Sequence, residues 1–313
     1  MFGTLRNLLR PAAREAPAEP LSPEDAYRRE RQRLLDAQQA ARQDLARGVR
    51  PTTHRRGAAA SPRVSIVIPS ITPQKFAAVT ASFEATFAGI DHEVVGIHDA
   101  ASMCEACNRG VREARGDIVV FAHDDIELAA PDFAARLLDR LEDADVVGIA
   151  GTTRLVGPAW ASSGPPHLHG QVGYRAGEQR IEVVIFGLDA PLRADAQALD
   201  GCFLAVRRHV LEDVSFDAAA FTGWHLYDVD FTFSAWLAAH RVAVAADLLL
   251  IHQSRGQYDA AWKQAAAAFT AKHRAALPPQ GTLTPVRVQG LAMESIDEWR
   301  LVTERLTGGG STC

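Results

Sequence analysis

Apolar runs alternate with longer mixed stretches over the first half of the chain, from about residue 63 to residue 149. Four of the runs have the length and apolarity of strands buried on both faces, and three of the stretches between them have the length of helices. The strands are Val64–Ile68, Val94–Ile97, Asp117–Phe121 and Val146–Ile149, and the helices are Pro73–Ala88, Met103–Ala114 and Pro131–Leu141. This order predicts an α/β fold with a doubly wound parallel sheet and right-handed crossovers.

The pattern becomes irregular after residue 150, where Gly, Pro, His and aromatic residues are frequent. Fewer elements are predicted there: strand Ile181–Phe186, the apolar stretch Cys202–Val206, helix Tyr227–Ala239, a strand pair within Val242–Ile251 and helix Ser295–Leu306. The two ends, residues 1–21 and the Gly-rich residues after 307, have compositions typical of disordered segments.

A basic helix is predicted before the first strand, from Pro23 to Arg47, with Ser22 as its cap. Its thin apolar stripe can dock on the rest of the chain, pair with a second subunit, lie on an anionic membrane surface or stay solvated. Residues 48–62 have a linker composition. The sequence therefore predicts a basic helical extension with linker (1–62), an α/β domain (63–277) and a C-terminal tail with one helix (278–313).

Composition and charge exclude several classes of protein. With 313 residues, 47% apolar and 23% charged, the chain resembles ordinary globular proteins, and its net charge of −5 disfavours nucleic acid as a partner. The basic helix lacks interleaved aromatic residues, which also disfavours that partner. No apolar run has the 18 residues of a membrane span, no signal-peptide core is present, and four cysteines make no disulfide framework. We expect a cytoplasmic protein, and the basic helix leaves open a location at the inner membrane surface.

Polar side chains end three of the predicted strands, at Ser70, Asp99 and Asp125. The carboxyl ends of parallel strands meet at one edge of a sheet, where α/β folds bind ligands. The adjacent carboxylates Asp124 and Asp125 repel each other, so they need a cation or a donor group. The Gly-rich fingerprints of dinucleotide and P-loop sites are absent. A nucleotide whose phosphates carry a divalent cation would fit this edge of the sheet. The alternative is that Asp124 and Asp125 belong to a turn or a helix cap, where adjacent acids are also common.

Two later segments carry further candidate chemistry. Asp228 and Asp230 follow Trp224, His225 and Tyr227, and aromatic faces beside a carboxylate suit a sugar pocket, while helix capping is the simpler alternative.

His252 ends an apolar run and precedes a polar loop with Arg255. It is either a satisfied core histidine or, beside a carboxylate, a ligand for Mn²⁺ or Mg²⁺. Arg255 and Gly256 suit a loop that closes over phosphate.

The segment from Arg63 to Tyr258 resembles the inverting glycosyltransferases of family 2, which have the GT-A fold, a Rossmann-like fold for nucleotide-diphospho-sugar transfer. The resemblance rests on six segments in the family's order: Val64–Ser70, Cys107–Phe121, His123–Asp125, Leu199–Arg208, Tyr227–Asp230 and His252. Features around His123, Trp224 and His252 are closest to a subgroup similar to a streptomycin-cluster (StrF-like) glycosyltransferase domain.

The resemblance implies a role for each matching residue. Pro69, Ser70 and Asp99 would face the nucleotide, and Asp125 with His252 would hold Mn²⁺ or Mg²⁺ on the diphosphate. Asp228 would be the general base. Further donor contacts are expected from Asn108, Arg109, Asp124 and Arg255, and acceptor contacts from Trp224, His225, Tyr227 and Asp230. The expected partners are a UDP-, GDP- or dTDP-sugar and a carbohydrate or other hydroxyl acceptor.

The chain departs from the family pattern at four positions: Ile71, Cys107, His123 and Tyr227. His123 replaces the first Asp of Asp-x-Asp, and Ile71 replaces an aromatic residue that stacks on the base. These changes keep open a catalytically silent GT-A-like nucleotide-binding or scaffold protein. A nucleotidyltransferase is disfavoured because no basic Gly-rich loop follows the first strand.

Overall fold

The structure is a computed structural model that describes residues 22–55, 62–177, 180–278 and 288–308. Fourteen strands and eight α-helices form within these residues. The strands are β1 (Val64–Pro69), β2 (His92–Ile97), β3 (Ile118–Ala122), β4 (Ile126–Leu128), β5 (Val146–Gly148), β6 (Ala150–Thr152), β7 (Leu168–Arg175), β8 (Ile181–Gly187), β9 (Leu192–Arg193), β10 (Ala198–Leu199), β11 (Phe203–Arg207), β12 (Val242–Ala245), β13 (Leu250–His252) and β14 (Gln289–Met293). The helices are α1 (Pro23–Ala46), α2 (Pro73–Thr86), α3 (Met103–Glu113), α4 (Phe133–Asp143), α5 (Arg208–Asp213), α6 (Tyr227–Leu237), α7 (Ala260–His273) and α8 (Ile296–Leu306).

The central sheet has the strand order β2–β1–β3–β11–β5–β12–β9. β1 pairs in parallel with β2 and β3, and β5 pairs in parallel with β12, whereas β11 lies antiparallel between β3 and β5. Helices α3 and α4 pack on its strands. The predicted α/β fold class is therefore confirmed: a central sheet whose strands mostly run in one direction, flanked by helices and preceded by a helical extension.

The first four predicted strands, β1, β2, β3 and β5, run in one direction as expected, but β11 is inserted antiparallel between β3 and β5. A strand buried on both faces is apolar throughout in either direction, so its sequence does not show which way it runs.

A second sheet, with the order β10–β6–β7–β13–β4 and with β8 and β14 attached through β7, was not predicted as a unit. It positions the candidate site, since β4 follows directly after the three polar residues that end β3. β13 pairs antiparallel with β4, so that His252 lies opposite Ile126 and beside Asp125. The N–H of Gln253 donates to the carbonyl of Asp125 at 2.9 Å, which extends this pairing to the acid itself.

The N-terminal helix α1 docks on this same chain, against α8 and β14. Leu34 and Ala41 are fully buried, and the Gln38 amide donates to the Ala292 carbonyl at 2.8 Å and to the Glu298 carboxylate at 2.9 Å. The apolar stripe of α1 therefore packs largely against other residues of this chain. Contact of this stripe with a membrane or with a second subunit is not supported. The predicted cap is confirmed, since the Ser22 side chain accepts from the Asp25 N–H.

We expect Leu34→Ala to lower the free energy of unfolding by about 2–5 kcal/mol, the usual cost of such a cavity in a core. The neighbouring Leu35 is 38% exposed, so Leu35→Ala is the matched control and should change stability by less than about 0.5 kcal/mol. Urea unfolding of the three proteins measures both effects. Equal losses in the two variants would show that α1 does not pack through Leu34.

The chain ends named in the sequence analysis, residues 1–21 and 309–313, lie outside the described residues. Among the described residues, no helix is both long enough and apolar enough to cross a bilayer. Cys104 and Cys107, which are spaced as Cys-x-x-Cys, lie on α3 with both thiols buried. Burial raises the pKa of Cys104 to about 12 and that of Cys107 well above its usual value. These thiols are core side chains.

Candidate metal and sugar-transfer site

The candidate site begins where β3 leaves the core. All five residues of β3 are buried, and the following His123, Asp124 and Asp125 form the turn into β4. The N–H of His123 donates to the carbonyl of Cys202 at 3.1 Å, which ties this turn to the start of β11. The three polar side chains are thus held at the carboxyl end of the sheet, as the sequence predicted.

One oxygen and two ring nitrogens converge at this turn, from Asp125, His252 and His123. His252 Nε2 lies 3.1 Å from Asp125 Oδ1 and 3.3 Å from His123 Nδ1, while His123 Nδ1 lies 4.0 Å from Asp125 Oδ1. The structure brings together the two residues predicted as metal ligands. His123, which the sequence analysis noted only as a departure from the family, joins them as a third candidate ligand.

The hydrogen bonds of His123 turn its Nδ1 lone pair towards His252 Nε2, 3.3 Å away. The Tyr227 hydroxyl donates to the Gly201 carbonyl at 2.8 Å, so it accepts from His123 Nε2, also at 2.8 Å. Burial, and then the charge of His252, lowers the pKa of His123 to about 4, so the ring is neutral at neutral pH. A neutral imidazole with one nitrogen donating to a second residue presents the other nitrogen to a metal in a fixed direction.

Asp125 is held in its ionised form. Burial alone would raise the pKa of this carboxyl, but hydrogen bonding and charge from His252, with a hydrogen bond from Ser254, hold it well below its usual range. Two imidazole nitrogens and one carboxylate oxygen fit a divalent transition cation. Among the two expected ions they favour Mn²⁺ over Mg²⁺, which prefers oxygen.

The donor side of the site is built around Ser70 at the end of β1. The Ser70 hydroxyl donates to Asp124 Oδ2 at 2.6 Å, and Lys75 Nζ lies 3.9 Å from Asp124 Oδ1. The sequence analysis did not select Lys75, because a single lysine in the first turn of a helix has no pattern of its own. Pro69 is half-buried next to Ser70, whereas Ile71 is 79% exposed.

Asp99 and Arg109 form an ion pair of 2.8 Å near the end of β2, and Arg109 also lies 3.3 Å from Glu105. Asp99 is exposed, so it remains accessible to a nucleotide. The charge of Arg109 is already balanced by these two acids, which weakens the case for Arg109 as a phosphate ligand.

Two further donor-side candidates are engaged elsewhere. The Asn108 amide exchanges two hydrogen bonds with the backbone of Phe216, at 2.8 and 3.2 Å, and so fixes the segment before α6 instead of facing the donor. Arg255 pairs with Glu182 at 2.7 Å and lies 4.4 Å from the centre of the Tyr174 ring. The structure does not bring Arg255 to the metal-ligand group.

Asp228 lies in the first turn of α6, after Leu226 in the left-handed conformation (φ 62°). Desolvation, and then the negative charge of Asp200, raises the pKa of Asp228 to about 7, against hydrogen bonds from backbone groups that include Gly201. A carboxyl with a pKa near neutrality is well matched to proton transfer. Asp200 is the neighbour that the sequence analysis left without a role, although it stands in the Asp-Gly segment quoted for the resemblance.

Gly201 lies directly against this helix turn. A Cβ at this position would lie 2.5 Å from Asp228 Cβ and closer still to the Tyr227 hydroxyl oxygen. Gly201→Ala is therefore expected to push Asp228 and Tyr227 outward and to lower turnover by at least ~10-fold, because small misplacements of reacting groups are costly. Steady-state kinetics measures the loss. Gly223→Ala is the control, since a Cβ there meets no atom of the described residues within 4 Å. Equal activity of the two variants would contradict the close approach at Gly201.

The acceptor-side candidates separate into exposed and buried residues. Trp224 is 48% exposed, and His225 Nε2 lies 3.5 Å from Asp259 Oδ1, which joins its loop to the start of α7. Tyr258, next to Asp259, is 62% exposed, and its ring packs edge-on against Trp262. This part of the site can offer aromatic faces to a sugar.

Tyr227 and Asp230 do not face an acceptor. Tyr227 is buried, with its hydroxyl between Gly201 and His123. Asp230 is 1% exposed and accepts from His273 Nε2 at 2.7 Å and from Lys272 Nζ at 2.8 Å. Buried carboxylates need such partners, so Asp230 joins α6 to α7, a role that the helix-start pattern could not distinguish from binding.

Residues 70–273 match the model of a family described as "Glycosyltransferase like family", and the chain belongs to this family. Among solved structures, the chain is similar to the mannosyltransferase PcManGT from Pyrobaculum calidifontis in complex with GDP-Man and Mn²⁺. The identity is 15% and the TM-score 0.43, over 90% of this chain and 84% of that one.

It is also similar to GalNAc-T7 with UDP, GalNAc and Mn²⁺, at 11% identity and a TM-score of 0.42, over 68% of this chain and 48% of that chain. Comparison with curated proteins finds no match.

Proposed function

We propose that this protein is a metal-dependent, inverting glycosyltransferase that moves a sugar from a nucleotide-diphosphate donor to an acceptor hydroxyl. Membership of the glycosyltransferase-like family supports sugar transfer as the reaction class. The observation that carries the proposal is the convergence of Asp125, His252 and His123 at the turn that contacts Tyr227, next to Asp228.

The ligand group would hold a divalent cation against the donor diphosphate. Asp125 Oδ1, His252 Nε2 and His123 Nδ1 would be the protein ligands, and Mn²⁺ suits these atoms best. When bound, the cation supplies positive charge that stabilises the departing diphosphate. Ser70 and Asp124 would lie beside the nucleotide with Pro69, and the exposed carboxylate of Asp99 would accept hydrogen bonds from its base or ribose.

Asp228 would act as the general base. In its ionised form it takes the proton from the acceptor hydroxyl while that oxygen forms a bond to the anomeric carbon. The bond from the anomeric carbon to the diphosphate oxygen breaks in the same displacement, and the electron pair leaves with the nucleoside diphosphate. A single displacement inverts the anomeric centre, and no covalent intermediate with the protein is formed.

The acceptor would enter beside Trp224, His225 and Tyr258. Exposed aromatic side chains cover the apolar faces of sugar rings, so a carbohydrate acceptor fits this side of the site best. Tyr227 and Asp230, which the sequence analysis placed among the acceptor contacts, would act through position alone. Tyr227 orients His123, and Asp230 anchors α6 beneath the base.

A thermal-shift panel tests the proposal. UDP-, GDP- and dTDP-sugars are each added with Mn²⁺, with Mg²⁺ or with EDTA. A ligand at ~100 times its dissociation constant stabilises the folded protein by roughly 2.7 kcal/mol, so metal-dependent stabilisation by one nucleotide class is expected. Release of the nucleoside diphosphate in the same samples then reports turnover. Stabilisation without turnover against any acceptor would favour the catalytically silent alternative, and no stabilisation by any donor would reject the proposed site.

A further inference from the structure

A second group of histidine and aspartate side chains lies at the opposite edge of the central sheet. Asp145 directly precedes β5, His240 lies just before β12, and His209 is the second residue of α5, which follows β11. β11 runs antiparallel to its neighbour β5, and β12 runs parallel to β5 on the other side, so the end of β11 and the beginnings of β5 and β12 lie at the same edge. The topology therefore brings three residues that are distant in sequence to one place.

The backbone at this edge is fixed by the sheet. The Asp145 N–H donates to the Arg241 carbonyl at 2.8 Å, and the Arg207 N–H donates to the Asp145 carbonyl at 2.8 Å. Asp145 is thus held between the end of β11 and the start of β12, and its side chain has little freedom to move away. A site built on strand ends is more precise than one built on a loop.

The side-chain atoms have the spacing of a metal site. Asp145, His209 and His240 each place one ligand atom within 4.8 Å of the other two. His209 Nε2 lies 3.6 Å from Asp145 Oδ1, and His240 Nε2 lies 3.2 Å from Asp213 Oδ2, at the end of α5. Tetrahedral zinc with bonds of about 2.0–2.2 Å separates its ligand atoms by about 3.3–3.5 Å, close to the distance between His209 Nε2 and Asp145 Oδ1.

A second, independent feature is the ring of His240. Its side chain is only 10% exposed, and none of the described residues makes a hydrogen bond to its Nε2, although Asp213 Oδ2 lies 3.2 Å away. Buried polar atoms are nearly always satisfied, and one without a partner is costly. A bond to a cation shared with Asp145 and His209 would satisfy this nitrogen.

We propose that Asp145, His209 and His240 form a three-ligand site for a zinc-class transition-metal ion. Two imidazoles with one carboxylate suit zinc, and a water molecule would complete its tetrahedral coordination. The bound ion would fasten the start of α5 to the sheet edge.

Arg241 does not prevent this arrangement. Its guanidinium contacts Asp145 Oδ1 at 2.8 Å and Oδ2 at 3.2 Å, and its side chain is 57% exposed, so it can release Oδ1 to the metal. The Arg241 N–H, at 2.9 Å from Oδ2, continues to orient the carboxylate. An ion pair with Arg241 alone is the competing explanation for Asp145, and it leaves the His240 nitrogen unexplained.

Equilibrium dialysis of the full chain against Zn²⁺ tests the proposal. The parent protein is expected to bind one more equivalent of Zn²⁺ than either His209→Gln or His240→Ala. Any ion bound by the Asp125–His252 group adds equally to all three proteins. His209 is half-exposed, so its replacement should not disturb folding, which covers the case that His240→Ala fails to fold. His92→Gln is the matched control: His92 pairs with Glu84, its side chain is 11% exposed, close to the 10% of His240, and the variant should retain the parent's stoichiometry.

Co²⁺ in place of Zn²⁺ reports the geometry. A tetrahedral cobalt absorption is expected in the parent and in Arg241→Gln, and it should be reduced by one site in His209→Gln. The same stoichiometry and spectrum in the parent and in both histidine variants, or no bound metal in the parent, would overturn the proposal. None of these measurements uses a nucleotide sugar, so failure here is separate from failure of the proposed transferase.

Discussion

Asp228→Asn is expected to lower kcat by at least ~10²-fold, the scale of losing a general base, while metal-dependent binding of the donor stays nearly unchanged. Asparagine keeps the size and the accepting oxygen of the side chain, so the backbone hydrogen bonds around Gly201 can persist. The proton of the acceptor hydroxyl then has no base to receive it. Steady-state kinetics and a thermal-shift titration with donor and Mn²⁺ separate the two effects.

The contrasting variant is Asp230→Asn, two residues along the same helix. Asp230 is buried and accepts from His273 and Lys272, so its replacement is expected to lower thermal stability, because it leaves the buried His273 ring poorly paired. Asp228→Asn should not lower stability in this way. If Asp230→Asn lost turnover at unchanged stability, or Asp228→Asn kept the parent's kcat, the two roles would have been assigned to the wrong residues.

The pH dependence follows from the same residue. A base must be ionised to act, and the pKa of Asp228 is raised to about 7, so kcat/KM should rise about tenfold per pH unit below this value and level off above it. Asp200→Asn removes the negative charge that contributes to the raised pKa, and its side chain can still accept from the Cys202 N–H. The rising limb should therefore move to lower pH in this variant. An unshifted limb would show that another group controls the profile.

Much of the first half of the fold is predictable from sequence because its strands are short, apolar and separated by clear helices. Val64, Ile118 and Val146 each begin a strand where the pattern placed one or within one residue of it. β7 was not predicted, since its Gly170 adopts φ 95° and its Gly173 packs under Trp299, and both interrupt the apolar pattern of a strand. Helix α7 was also missed, because its alanine-rich sequence carries little apolar periodicity.

The candidate site shows the same division. Asp125 and His252 could be paired from sequence through the resemblance, and the register of β4 against β13 then places them together. His123 could not be recognised as a ligand, because its available nitrogen depends on a hydrogen bond to Tyr227, 104 residues away. Asp230 and Asn108 have the residue types of binding groups, but their partners, His273 and the Phe216 backbone, are fixed by tertiary packing that no local pattern encodes.

Asp125→Asn is expected to abolish Mn²⁺-dependent stabilisation by the donor and to lower kcat/KM by on the order of 10²-fold or more, as for loss of a group that stabilises transition-state charge. The variant removes the only carboxylate among the three candidate ligands and leaves two imidazoles, so affinity for the cation falls first. Glu127→Gln is the matched control: Glu127 lies two residues further along β4, is 40% exposed and pairs with Arg175. Thermal-shift titrations with Mn²⁺ in the presence and absence of donor should show the loss in Asp125→Asn alone. A high Mn²⁺ concentration can fill a weakened site, so partial recovery of kcat/KM at millimolar Mn²⁺ would locate the defect in metal binding. If Asp125→Asn needed the same Mn²⁺ concentration as the parent, the cation would have to bind elsewhere.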